Sequence, residues 1–292
     1  MRVLVTGSSG QVGREIELAL LNDLHEVVLA PHENLDITNF ERVRSAVFDT
    51  HVQAIINAAA YTNVEKAEDD YIDAYAVNAL GAGNLAKAAF EARVPLVHIS
   101  TDYVFSKATG RAHLEDEKTF VQSAYGKTKL AGEELVISSG CSYAILRTSW
   151  IFGPFGHNFV KTMLRVAQDK DLLKVVCDQK GSPTPASEIA KACVVMAKAL
   201  VEKPELNLEG IYHFAGTPYT TWDEFARVIL AKAFELNLLD HEVSVQSILS
   251  EEYPSKVERP LDSRLDCTKI YEVFGLKMPY WEDYLEQTLK AG

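Results

Sequence analysis

The sequence predicts a doubly wound α/β fold, a parallel sheet with helices on both faces, with a smaller C-terminal region. Three observations predict it. Short β-branched runs in the first half are apolar nearly throughout, the pattern of strands buried on both faces. Helix-length segments separate these runs and give a βαβαβ rhythm. A turn with glycines at GxxGxxG spacing joins the first run to the first helix.

The first strand is Arg2–Thr6, and a helix is expected over residues 11–21. Between them lies Thr6-Gly7-Ser8-Ser9-Gly10-Gln11-Val12-Gly13. Gly7 permits the tight turn, Gly10 lets backbone approach a pyrophosphate, and Gly13 lets the helix pack on the strand. The free N–H groups of the helix's first turn then face the anion. The second strand, residues 27–30, is followed by Pro31-His32, where an acid commonly binds the adenosine ribose hydroxyls. Nothing there repels a 2′-phosphate and no arginine grips one, so the lean toward NADPH over NADH is slight. A helix over 40–49, a strand over 54–57 and a helix over 74–92 continue the rhythm.

The fourth strand, residues 96–100, runs into Thr101-Asp102-Tyr103-Val104-Phe105. A hydroxyl at a strand's carboxyl end lies in the crevice where such sheets bind ligands. The next helix, residues 123–138, has Ser123 as its N-cap and carries Tyr125-Gly126-Lys127-Thr128-Lys129. Tyr125 and Lys129 stand at i and i+4 on one helix face, about 5–6 Å apart at Cβ. A free tyrosine titrates near about 10, and a neighbouring ammonium is expected to lower that value. The phenol then exchanges a proton usefully near neutrality. Thr101 is placed to hydrogen-bond a carbonyl oxygen that Tyr125 protonates. Lys127 and Thr128 are expected on the helix surface, and Tyr103 and Phe105 in the core. Asn57 and Asn78 are expected to organise backbone groups. A fifth strand spans residues 143–147.

After Trp150 the rhythm loosens, with Gly153, Pro154, Gly156, Pro183 and Pro185 marking loops. A helix is expected over residues 221–236, with Thr221 as N-cap and Glu224 as its capping-box partner. The division that follows is a nucleotide-binding domain over 1–149, rejoined by about 184–215. A substrate-binding region takes 150–183 and 216–292. Trp150 is a candidate wall for a sugar or a core residue. Arg259 and Arg264 are candidates to grip a diphosphate, because a guanidinium matches phosphate oxygens bidentately.

The 292 residues are 47% hydrophobic and 24% charged, ample for a core. The formal net charge of −12, with no basic block, argues against nucleic-acid binding. No apolar run reaches the length of a membrane helix and no secretory signal opens the chain, so a cytoplasmic location is expected. The four cysteines are scattered, without a CxxC pair, which argues against a zinc site or disulfide framework. No metal ligand is assigned on spacing.

Taken together, TGxxGxxG, Asn57-Ala58-Ala59-Ala60, Val77-Asn78, the segment Ser100 to Phe105 and Tyr125-Gly126-Lys127-Thr128-Lys129 resemble the extended short-chain dehydrogenase/reductase superfamily, which has a Rossmann-type fold. Four further stretches are similar to the dTDP-4-dehydrorhamnose reductases. They are Arg147-Thr148-Ser149-Trp150, Asn158 to Met163, Asp178-Gln179 with Gly181-Ser182-Pro183-Thr184, and Arg259-Pro260 with Ser263-Arg264-Leu265. The likeness runs from Met1 to about Tyr284.

It implies NAD(P)H-dependent reduction of the C4 keto group of dTDP-4-dehydro-β-L-rhamnose to dTDP-L-rhamnose. It places Gly10, Gln11 and Val12 along the dinucleotide, Asp36 and Ile37 near the adenine, and Ala60, Tyr61 and Thr62 near the ribose and nicotinamide. Thr101, Tyr125 and Lys129 match the catalytic triad, with Tyr125 and Lys129 also touching cofactor. Thr101, Asp102 and Trp150 match substrate contacts. Some members of that family form homodimers through glutamates and Mg²⁺; Glu15 and Glu188 are present here, but no clear C-terminal acidic partner is, and no metal ligand is assigned. Two alternatives share these features: another nucleotide-sugar ketoreductase or epimerase, and a non-catalytic regulatory subunit like that of methionine adenosyltransferase.

Overall fold

The computed structural model describes all 292 residues. Its centre is a six-stranded sheet, parallel throughout. The strands are β1 (Arg2–Thr6), β2 (Glu26–Ala30), β3 (Ala54–Asn57), β4 (Leu96–Thr101), β5 (Tyr143–Thr148) and an edge strand, Gly210–His213. The spatial order is edge strand, β5, β4, β3, β1, β2. The winding direction reverses between β1 and β3, and a crevice for ligands opens beyond the carboxyl ends at such a reversal.

The continuous apolar strands bury both faces, as their pattern predicts. Val3, Val5, Ala54, Ile56, Val97, Ala144 and Leu146 face one core. It is completed by α1 (Gln11–Asn22) and by a long helix over Ala186–Glu202. Leu4, Ile55, Leu96 and Ile145 face the opposite core, with α2 (Phe40–Asp49) and the helical stretch Tyr71–Ala92. Period-2 side-chain alternation on a parallel sheet produces this division.

The helix expected over 74–92 is longer and interrupted. It begins at Tyr71 as α3 (Tyr71–Tyr75), passes through a π segment, Ala76–Gly81, and continues as α4 (Ala82–Ala92). The π segment sits where α5 (Ala124–Ser138) comes close. A Cβ at Gly132 of α5 would collide with the Asn78 carbonyl oxygen. Extra room in one turn and a missing side chain in the other let the two helices touch. Their contact carries a polar bond, so Thr128 is fully buried and its hydroxyl accepts from Asn78 Nδ2 at 3.0 Å. The surface position expected for Thr128 is therefore corrected, while Lys127 is exposed.

The rest of the chain forms a third apolar cluster. Helices Phe159–Ala167, Trp222–Glu235 and Leu285–Lys290 pack with strands Leu172–Val176 and Ser244–Ile248 around Phe152, Phe225 and Trp281. The helix expected at 221–236 is present, and Glu224 accepts the Thr221 N–H at 3.2 Å. Elsewhere this region contributes two-residue strands, short 3-10 turns and a helix, Thr268–Phe274, whose Ile270 packs into the first core.

Candidate active site

The glycine turn at β1 is shaped by backbone crowding. Gly7 has φ of 65°, and a Cβ on it would lie 2.6 Å from Ala59, just past the end of β3. Only glycine fits both the left-handed conformation and the close approach. A Cβ at Gly13 would strike the Gly7 carbonyl oxygen, so that glycine seats α1 on the turn. Gly10 is exposed and caps α1 without a side-chain hydrogen bond. The start of a twelve-residue helix is thus bare backbone beside the sheet's switch point. A pyrophosphate fits this cradle, because such a group takes N–H donors and helix-dipole charge and needs the missing Cβ atoms.

Gln11 and Val12 are half-buried at this mouth. Asn158 donates to Gln11 Oε1 at 2.8 Å, tying the turn to the C-terminal region. Asp36 folds its own loop by accepting from the Thr38 N–H at 2.9 Å and the Thr38 hydroxyl at 2.8 Å. These bonds hold its carboxyl below the usual range. Ile37 is buried against Gly81. Ala60, Tyr61 and Thr62 follow β3 into the crevice. Asn78 fixes them by accepting the Tyr61 N–H at 2.8 Å and donating to the Tyr61 carbonyl at 3.2 Å. Asn57 accepts the Thr6 hydroxyl at 2.7 Å and the Ala59 N–H at 3.0 Å. Both asparagines organise backbone and neighbouring polar groups, as expected.

At the end of β4, Thr101 accepts the Tyr103 N–H at 3.1 Å and donates to Asp102 Oδ1 at 3.2 Å. Its hydroxyl also lies near enough to the Tyr125 phenol to pull the phenol's pKa down. Ser123 caps α5 by accepting the Gly126 N–H at 3.1 Å, which orients the helix's first turn under the strand end. The Tyr103 ring stands edge-on to Tyr125, with centroids 5.5 Å apart. Phe105 is in the core, whereas Tyr103 is half-buried.

The expected depression of the tyrosine is overturned. Burial pushes the Tyr125 phenol up from its ordinary value, and the Thr101 hydroxyl only partly offsets this. The cation next to it is the group that shifts down. Lys129 is buried, its Nζ donates to the Ile99 carbonyl at 2.7 Å, and burial lowers it to about 8 against the opposing pull of Glu133. Lys129 is buried and Tyr125 half-buried, and desolvation is the leading cause of both shifts.

Asp102 is buried with one carboxylate oxygen, Oδ2, unpartnered. Burial raises it to about 6, opposed by hydrogen bonds from Ser263 and Thr101. Trp150 follows β5 in the left-handed region, φ 44°, rare for a bulky residue. One face of its indole is covered by Trp222, centroids 3.6 Å apart, and Gly181 leaves room for its edge. Arg259 reaches Glu65 at 3.1 Å and lies near Tyr103. Arg264 forks onto Asp262 at 2.8 and 2.7 Å. Both arginines thus belong to ion pairs on the loop above the end of β4.

Sequence reasoning missed what lies behind the pair. Glu133, one turn past Lys129, forms a bidentate ion pair with Arg147 inside the protein. A charged residue ending the apolar run 143–147 was the available signal.

Within a single chain, no ligand set for Mg²⁺ is formed. Glu15 is buried inside α1 and Glu188 pairs with Lys191. No three His, Cys, Asp or Glu side chains come together in a way that could hold a metal ion.

A parallel sheet with a bare-backbone anion cradle at its switch point, facing a half-buried Tyr125 beside buried Lys129 and Thr101, defines an NAD(P)-dependent oxidoreductase with a Rossmann-type fold. The chain matches the family described as RmlD substrate binding domain over residues 1–292. It is 40% identical to the dTDP-4-dehydrorhamnose reductase of Aggregatibacter actinomycetemcomitans over 286 residues, 98% of this chain and 97% of the relative. A crystal structure of a dTDP-4-dehydrorhamnose reductase from Clostridium acetobutylicum superposes with a TM-score of 0.89 at 36% identity, covering 99% of each chain. The Bacillus anthracis dTDP-4-dehydrorhamnose reductase in complex with NADP also gives 0.89, at 35% identity, covering 100% of this chain and 99% of the other. The chain belongs to the dTDP-4-dehydrorhamnose reductase family.

Proposed function

We propose that this protein reduces the C4 keto group of dTDP-4-dehydro-β-L-rhamnose to give dTDP-L-rhamnose, using NADPH. The observation that carries this reading is the meeting of Thr101, Tyr125 and Lys129 at the carboxyl end of β4, across the switch point from the cradle of Gly7, Gly10 and Gly13. NADPH is favoured over NADH because no acid closes β2 and because a relative's structure is in complex with NADP.

When bound, NADPH supplies a hydride equivalent to the C4 carbon. Gly10, Gln11 and Val12 present backbone to its pyrophosphate, and the loops at Asp36-Ile37 and Ala60-Tyr61-Thr62 flank the rest of it. Thr101 orients the keto oxygen. Tyr125 donates its phenolic proton to that oxygen as negative charge develops there. A raised pKa suits proton donation, because the phenol keeps its proton until it meets a stronger base, the developing alkoxide. Lys129 stabilises the phenolate that remains. Residues 150–183 and 216–292 form the substrate-binding region in this reading, with Asp102 and Trp150 beside the sugar and Arg259 and Arg264 toward the diphosphate. Water exclusion strengthens each of these interactions.

The test is an assay with dTDP-4-dehydrorhamnose under NADPH and NADH in parallel. Stoichiometric NADPH oxidation is the expected result. Sugar conversion without net cofactor consumption would indicate an epimerase and overturn the reading. Tyr125→Phe should lower turnover by roughly 10²-fold while sparing cofactor affinity.

A further inference from the structure

Tyr125, Lys129 and Glu133 stand at i, i+4 and i+8 on α5, one stripe aimed at the sheet. Two consecutive residues of β4 receive its far end. The Ile99 carbonyl accepts from Lys129 Nζ at 2.7 Å, and the Ser100 hydroxyl donates to Glu133 Oε1 at 2.5 Å. From β5, Arg147 closes the other side. Its Nε reaches Glu133 Oε1 at 2.9 Å and its second terminal nitrogen reaches Oε2 at 2.7 Å. Glu133 is 1% exposed, Arg147 and Lys129 each 2%. Arg147 lies over the Phe105 ring at 5.1 Å, and its remaining nitrogen is unpartnered.

A buried carboxylate between two buried cations is costly to desolvate, and well-packed apolar residues of similar volume commonly serve stability as well or better. Its placement one turn behind Lys129 points to a role there. We propose that Glu133, seated by Arg147 and Ser100, is a positioning residue that sets one fixed anion a helical turn behind the Lys129 ammonium, which the Ile99 carbonyl holds against β4 in line with Tyr125. The proposal rests on the assignment of Tyr125 and Lys129 as the reacting pair.

The charged and titratable groups facing Lys129 are few. Glu133 and Tyr125 come from its own helix. From β4 comes His98, which burial and Lys129 together hold neutral, its Nδ1 bonded to Asn57 at 2.9 Å. Arg147, from β5, acts on Lys129 through Glu133. Glu133 is therefore the one anion in the group. It opposes the fall of Lys129 toward neutrality, which burial has already carried to about 8.

The experiment follows the alkaline limb of the pH–turnover profile, above which Lys129 has lost its charge. Glu133→Gln should move that limb down by about one unit, a roughly tenfold loss of turnover above it. Arg147→Met leaves the carboxylate unneutralised beside Lys129 and should move the limb the opposite way. Ser100→Ala, which keeps the ion pair and removes one donor, should also move it upward, by less than about half a unit. Glu133→Asp should restore most of the limb. A residue needed only for folding would lower turnover evenly at all pH values. An unmoved limb across the variants that fold, Ser100→Ala among them, overturns the proposal. Near-normal turnover in Tyr125→Phe or Lys129→Met would instead overturn the assignment on which it rests, so the two failures read differently.

Discussion

Two acid–arginine pairs in this protein use the same chemistry in opposite surroundings. Glu133 and Arg147 meet in the interior behind Tyr125 and Lys129, at 1% and 2% side-chain exposure. Glu65 and Arg259 meet on the rim, at 40% and 31%. The rim pair has helpers, since Glu65 also accepts from the Ser255 hydroxyl at 2.6 Å and the Lys256 N–H at 3.1 Å. Lys256 in turn reaches Asp69 at 2.9 Å. These bonds fasten the loop bearing Arg259 to the segment just after Tyr61 and Thr62. The rim pair is a tether that water and salt can loosen. The interior pair is a fixed charge, because breaking it strands an ion away from solvent.

The comparison can be broken at several points. The largest effect is expected for Arg147→Ala, which should cost about 3–5 kcal/mol, because Glu133 is left buried without its cation. Urea unfolding measures it, and a loss below about 1 kcal/mol would place the pair in the same class as the rim.

Asp102 is an intermediate case, a buried acid with no lysine or arginine paired to it. Its folded pKa of about 6 exceeds the unfolded value, so its carboxyl does not oppose folding below the unfolded value. Stability should then fall as pH rises from about 4 to about 6, by up to about 3 kcal/mol. Asp102→Asn should abolish that slope and raise the melting temperature at neutral pH. Melting curves across this range in both proteins check it, and an unchanged slope would show that another group is responsible.

Arg259→Ala should cost at most about 1 kcal/mol of stability, with the loss shrinking further in high salt. Its larger consequence is expected as a raised KM for the nucleotide sugar with stability nearly intact. The smallest effect belongs to Lys256→Met at the exposed end of the tether, within about 0.5 kcal/mol of the parent by thermal melting.

Much of the fold and of the site is legible in local sequence. The turn from Thr6 to Gly13 announces itself because each glycine answers a backbone constraint that no other residue meets. The strands announce their burial because both faces are apolar. The Tyr125–Lys129 spacing is legible because a helix maps i and i+4 onto one face. Other features depend on distant neighbours. The π segment at Ala76–Gly81 exists where Gly132, far along the chain, comes to lie against it. The partner of Trp150 is Trp222, and the partner of Gln11 is Asn158. Neither pairing follows from any periodicity.

The sequence by itself determined the doubly wound sheet, the glycine turn and the placing of Tyr125 and Lys129 on one helix face, since these rest on backbone geometry and short helical spacing. Tertiary structure alone decided their electrostatics. Proximity predicted that the lysine would lower the tyrosine, but the packing around both groups removes water from them, wholly at Lys129 and in part at Tyr125, and this drives the phenol up and the ammonium down. Desolvation depends on everything packed around a group, and those neighbours come together only when the chain has folded.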